Sequence, residues 1–256
     1  MLQRRRFIQG VGATGLAPLA VVLANPELAA AAAATLETVQ TETPHGTIRA
    51  ALARPAVVPA PAILLIHEWW GLNDQIKSVA ADFAGQGYLG LAIDLYDGQV
   101  ATTPERAQAL TRTVDPKVAT ETLVAWARWL KTNPDSTGKI GVIGWCFGGG
   151  WSLALSLAEP VDATVIYYGR CTQTAAELAA LKGPVLGHFG TQDKFITVAM
   201  VEGFKKALAE AHKPAEIYFY DANHAFANPT GASYNQADAA LAWSRTTAFL
   251  AKNLKS

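Results

Sequence analysis

The sequence predicts a single α/β domain built on a mostly parallel sheet with helices on both faces. Three observations carry that reading. Short apolar runs of strand length alternate with amphipathic helical stretches along almost the whole chain. The run Ala62-Ile-Leu-Leu-Ile66 has no polar position, as expected of a strand covered on both faces. No internal repeat, low-complexity linker or second core interrupts the pattern after residue 36, and 256 residues suffice to bury one large core.

In chain order, 36–54 alternates and breaks at Pro44-His45-Gly46, the pattern of a β-hairpin. Strand 62–66 follows, and Asn73 or Asp74 can cap a helix that carries Ile76, Val79, Ala80 and Phe83 on one face. Gly87 ends that helix, and 88–93 is the next strand. Pro104 opens a short helix. Asp115-Pro116 opens a longer one, with Leu123, Trp126, Ala127 and Leu130 facing inward. Strand 139–143 and helix 149–157 flank Gly144-Trp-Cys-Phe-Gly148. Strands are expected at 163–168, 185–189 and 216–220, and helices at 174–181, 197–211 and 235–253.

The N-terminus is a separate case. Arg4-Arg5-Arg6-Phe7 precedes an uncharged Gly- and Ala-rich run, and an alanine tract reaches Ala34. This is the pattern of a cleavable signal peptide of the twin-arginine type over 1–35, leaving 36–256 as the mature domain. It implies passage through the twin-arginine export machinery of a bacterium to the periplasm or outside. Glycines and a proline break the apolar run, so no membrane span is expected in the mature form. Lys plus Arg and Asp plus Glu each number 21, with no basic stripe, which argues against nucleic acid as a partner. Two cysteines make neither a disulfide framework nor a zinc ribbon.

Chemistry is expected at the turn around Cys146. A strand runs into Gly-x-Cys-x-Gly and a helix runs out, the pattern of a nucleophile elbow with a thiol in place of the more usual hydroxyl. A thiol nucleophile needs a base, and the base needs an acid to orient it. Asp193 lies just past strand 185–189 and His224 just past strand 216–220, in the order nucleophile, acid, histidine. Asp221 is too close to His224 along the chain to serve and reads as a turn residue. His188 sits inside an apolar strand, His212 at a helix end and His45 in the hairpin turn. The amides of Phe147 and of the loop after strand 62–66 are the expected oxyanion donors. That loop begins His67-Glu68, but Gly71 stands where a zinc-binding H-E-x-x-H would need its second histidine. No metal or cofactor is called for.

Together His67-Glu-x-x-Gly-Leu-Asn73, Asp94-Leu-Tyr96, Gly144-x-Cys-x-Gly-Gly149, Tyr167-Tyr-Gly169, Gly190-x-Gln-Asp193 and His224-x-Phe226 resemble the dienelactone hydrolase family of the α/β-hydrolase fold. The resemblance covers essentially everything after residue 44. It implies a Cys146–His224–Asp193 triad, an oxyanion hole from the backbone amides of Trp69 and Phe147, and a Glu68 beside the thiol that takes part in forming the thiolate. It also implies hydrolysis of a small ester or lactone through an acyl-thioenzyme. The two arginines that hold the substrate carboxylate in dienelactone hydrolase are not matched, since those places read Asp97-Gly98 and Asn228. Losing each forfeits a charge-assisted hydrogen bond of about 1.5–3 kcal/mol. Trp70, Tyr168, Arg170, Phe195 and Phe226 are the expected pocket residues, and Trp145 is expected to pack beneath the loops. Cys171, near a strand end, reads as a half-buried thiol rather than a disulfide partner of Cys146. The competing reading is an exported binding or thiol-redox protein, which lacks the support of a Cys-x-x-Cys pair.

Overall fold

The computed structural model describes residues 23–255. The signal-peptide reading of residues 1–22 lies outside them. The remainder of the stretch read as a leader includes α1 (Pro26–Ala33), capped by Asn25, with Ala29 and Ala33 buried and the helix packed on α2 (Asp74–Gly85).

The alternating segment 36–54 is β1 (Glu37–Thr43) and β2 (Gly46–Ala53), an antiparallel hairpin. The other strands are β3 (Ala60–Ile66), β4 (Leu89–Ile93), β5 (Ser136–Trp145), β6 (Ala163–Tyr167), β7 (Val185–Gly190) and β8 (Ala215–Tyr220). They form one eight-stranded sheet in the order β1-β2-β4-β3-β5-β6-β7-β8, parallel from β4 to β8. The pleat divides each buried strand between two cores. Ile63 and Leu65 of β3 join Val79 and Phe83 of α2 and Leu250 of α8 (Gln236–Leu254). Leu64 and Ile66 face the other way, onto Leu123, Trp126 and Leu130 of α4 (Pro116–Thr132) and Leu155 of α5 (Phe147–Ala158). This explains why the run shows no alternation: both faces are covered, and each buried Leu or Ile contributes about 1.5–3 kcal/mol.

The helix starts follow local chemistry. Asn73, rather than Asp74, caps α2; Thr103 caps α3 (Pro104–Thr113); and Asp115 caps α4 ahead of Pro116. The helix expected over 174–181 is only α6 (Ala175–Leu178). Thr174 and Glu177 close a capping box at its start, and 179–181 continue as tight i→i+3 turns before Gly183-Pro184. α7 (Val198–Glu210) covers β7 with Val201, Phe204 and Leu208. No described helix is long and apolar enough to cross a membrane.

Candidate active site

Five loops meet at the carboxyl edge of the sheet, after β3, β5, β6, β7 and β8. In the strand order β3 is flanked by β4 on one side and β5 on the other, so a crevice opens where the winding reverses. Cys146 stands on the turn from β5 to α5 with φ 53° and ψ −114°, a backbone few residues adopt. Its N–H donates to Tyr167 O at 3.0 Å. Such a sharp turn leaves no room beside it: a Cβ on Gly144 would lie 2.0 Å from Gly148 O, and one on Gly148 would lie 2.2 Å from Ile66 O. The glycines are therefore required by close approach of backbone.

The residues picked from the sequence come together here. His224 Nε2 lies 3.1 Å from Cys146 Sγ, and His224 Nδ1 lies 2.6 Å from Asp193 Oδ2. The other carboxylate oxygen of Asp193 accepts from the N–H groups of Phe195 (2.8 Å) and Ile196 (2.9 Å), which fixes the acid's direction. Burial works against charge on His224, but Asp193 and the sulfur outweigh it and raise its pKa to about 10. Burial likewise opposes ionisation of Asp193, yet the His224 hydrogen bond and the two amides hold its pKa below the ordinary value. Among the described residues, neither the Trp69 N–H nor the Phe147 N–H donates within the protein, and both residues line the cavity at Cys146.

Glu68 is buried in the same cavity wall. Its Oε2 accepts from Asn228 Nδ2 at 2.6 Å and its Oε1 from the Tyr168 hydroxyl at 3.3 Å, while the thiol is hydrogen-bonded to His224. Burial raises the pKa of Glu68 and the Asn228 contact only partly offsets this. Asn228 thus has a use the sequence does not disclose. Gln75 Nε2 and the N–H and hydroxyl of Thr230 all donate to its Oδ1, which leaves its amide nitrogen aimed at Glu68.

The cavity measures about 810 Å³ and is lined chiefly by Trp69, Trp70, Phe147, Trp151 and Phe195 around Cys146. Tyr168 and Arg170 also line it. Phe195 is 75% exposed and meets His224 edge to face at 5.5 Å. Trp151, four residues beyond Phe147, was identifiable only from α5 beginning at the nucleophile. Phe226 is a correction. Ala225 takes φ 61° and turns the chain, so Phe226 enters the core against Tyr168 and Tyr220 and does not line the cavity. Glu68, Tyr168 and Asn228 also wall off a second cavity of about 550 Å³, lined in part by Leu23, Trp145 and Trp243.

The alternatives separate cleanly. His188 is wholly buried, hydrogen-bonded to Tyr220 and Thr246, with its pKa pushed down to about 3 by burial. Asp221 accepts from Thr191 and Gln192 on the surface. Both cysteines are free thiols, and burial raises Cys171 to about 12 within the cluster of Leu153, Ile166 and Phe189. Trp145 packs on Tyr167 beneath the loops, as expected.

A mostly parallel sheet with a thiol on a strained strand-to-helix turn and a histidine–carboxylate pair on later loops defines an α/β-hydrolase. The dienelactone hydrolase family model matches residues 48–254, and the chain belongs to that family. A carboxymethylenebutenolidase of Pseudomonas putida is 30% identical over 220 residues, covering 80% of this chain and 91% of the relative. Carboxymethylenebutenolidase 1 of Cupriavidus pinatubonensis is 26% identical over 220 residues, covering 80% and 92%. A solved structure from Klebsiella pneumoniae assigned to the dienelactone hydrolases superposes with a TM-score of 0.76 at 27% identity, covering 85% of this chain and 99% of the other.

Proposed function

We propose that the protein hydrolyses a small carboxylic ester or lactone through an acyl-thioenzyme on Cys146. The observation that carries this is the continuous line Asp193–His224–Cys146, with separations of 2.6 and 3.1 Å. The sulfur attacks the carbonyl carbon, and its proton resides on His224. The carbonyl oxygen becomes an oxyanion facing the Trp69 and Phe147 amides. Collapse breaks the ester C–O bond, and the proton on His224 goes to the departing alkoxide. A water then loses a proton to His224 and attacks the thioester carbon, and the acid departs as the thiol is restored. Asp193 keeps Nε2 towards the sulfur and stabilises the imidazolium. To Glu68 we assign the resting role of accepting a hydrogen bond from the neutral thiol when Sγ turns from His224, so that the sulfur keeps its proton until substrate arrives and is spared oxidation.

The relatives' carboxymethylenebutenolidase names and the absence of the family's arginine positions together shape the substrate reading. Among the described residues, Arg170 is the one Lys or Arg lining the cavity, and the walls are aromatic. An uncharged aryl or apolar ester or lactone fits that lining better than a carboxylate-bearing one. Cys146→Ala is expected to lower hydrolysis of an aryl acetate by at least about 10³-fold. Wild type is expected to favour neutral lactones over carboxylated ones in kcat/KM. Undiminished turnover by Cys146→Ala would sink the acyl-thioenzyme reading.

We further propose that residues 1–35 direct twin-arginine export, supported by Arg4-Arg5 ahead of Phe7 and the alanine tract. Replacing Arg4 and Arg5 by Lys should trap the protein in the cytoplasm, read by cell fractionation. Unchanged export would dispose of the idea.

A further inference from the structure

We propose that His67 is a positioning residue for the oxyanion hole, its imidazole fixing the peptide plane that carries the Trp69 N–H. The inference rests on the reading of the Trp69 and Phe147 amides as oxyanion donors. His67 follows the last residue of β3 and has no exposed surface. The Leu95 N–H donates to its Nε2 at 3.2 Å, so Nε2 is the unprotonated nitrogen. The ring proton is then on Nδ1, which lies 2.5 Å from Glu68 O and donates to it. The Glu68 carbonyl and the Trp69 N–H belong to one planar, trans peptide unit and point in opposite directions. Holding the carbonyl towards His67 therefore aims the N–H the other way, to the side where the cavity lies. Gly71 N–H donates to the same carbonyl at 3.2 Å, a longer contact than that of Nδ1.

The ring itself has little freedom. Tyr96 packs on it at 4.7 Å, and Phe147 lies nearly parallel to it at 5.9 Å with 17° between planes. Phe147 carries the second amide, so one imidazole bonds the peptide unit of the first donor and stacks on the residue that supplies the second. The elbow closes on the same loop, since a Cβ on Gly148 would lie 2.5 Å from His67 O. Burial lowers the pKa of His67, which keeps it neutral with one donor and one acceptor; a second ring proton would face the Leu95 N–H.

The test uses His67→Leu, which removes the donor at similar volume, and His67→Asn, whose amide nitrogen can replace Nδ1. His67→Gln places its amide one carbon further out, where it can meet Leu95 but not Glu68. Three readouts are taken: kcat and KM on an aryl acetate, inhibition by a trifluoromethyl ketone, and alkylation of Cys146 by iodoacetamide, which forms no oxyanion. His67→Leu should lower kcat by about tenfold or more with KM little changed, as expected when an oxyanion donor is misaimed rather than deleted. The ketone should weaken in proportion, alkylation should stay within about twofold of wild type, and His67→Asn should restore most of kcat. Should His67→Leu fail to fold, the two polar variants carry the test, Asn active and Gln defective. Wild-type kcat in the Leu variant, equal activity of Asn and Gln, or alkylation falling in step with hydrolysis would each overturn the proposal. A ketone that binds Cys146→Ala as tightly as wild type would overturn the oxyanion reading itself, and His67 with it. A ketone that needs Cys146 but ignores His67 would remove His67 alone.

Discussion

His224 is held between a carboxylate and a sulfur, and its elevated pKa has a consequence for stability as well as chemistry. An imidazole of ordinary value near 6.5 that titrates at about 10 when folded binds its proton more tightly in the native state. The stability this lends is fully present below about pH 6.5 and is lost as pH rises through about 10. The melting temperature of wild type should therefore fall by several degrees more than that of His224→Gln between pH 6.5 and 10, measured by scanning calorimetry. Parallel pH profiles would show that the histidine contributes no such linkage. At this scale the triad candidates were legible because each stands just past a strand, where the fold class alone puts reactive groups. Asn228 and Phe226 were not, because their roles depend on side-chain direction. The positive φ of Ala225 sends Phe226 inward, and three donors on one oxygen of Asn228 direct its nitrogen to Glu68. Neither cause leaves a trace in residue spacing.

The β5–α5 elbow makes a sharper demand on sequence than any other element. Gly148 and Gly150 sit two residues apart on one helix, yet their surroundings differ. A Cβ at Gly148 would meet Ile66 O at 2.2 Å, whereas at Gly150 the nearest atom would be Arg170 O at 3.6 Å, an ordinary contact. Gly148→Ala should cost about 3 kcal/mol or more and largely abolish activity, since β3 or the turn must shift. Gly150→Ala should stabilise the helix by about 0.5–1 kcal/mol, because alanine gives up less backbone entropy, and should keep the enzyme active even though it adds a methyl group to the wall of the Cys146 cavity. Denaturant titration of both variants checks the pair, and a Gly148→Ala protein as stable as wild type would contradict the close packing. The strands and most helices could be read in advance from period and caps. The end of α6 could not, because a tight turn before Gly183-Pro184 competes with a helix over the same apolar residues.

The whole molecule adds what no single element contains, which is the order of the strands. Alternating strands and helices imply parallel pairing, but not that β3 lies between β4 and β5 and so brings the Glu68 loop beside Cys146. The least expected feature at this scale is α1, because the stretch read as the end of a leader packs on α2 and Leu23 reaches the second cavity. The two readings meet in one measurement. Burial of Ala29 and Ala33 and partial burial of Leu23 is worth roughly 1–2 kcal/mol, and a domain of this size loses about 2–4 °C per kcal/mol. None of residues 23–35 lines the cavity that holds Cys146. A chain beginning at Leu36 should therefore melt a few degrees below one beginning at Leu23, while both hydrolyse an aryl acetate with the same kcat. Equal melting temperatures would mean that α1 adds nothing to the fold and that cleavage after residue 35 is free of cost. An insoluble shorter chain would instead make α1 part of the folded domain and overturn the reading of a leader that runs to residue 35.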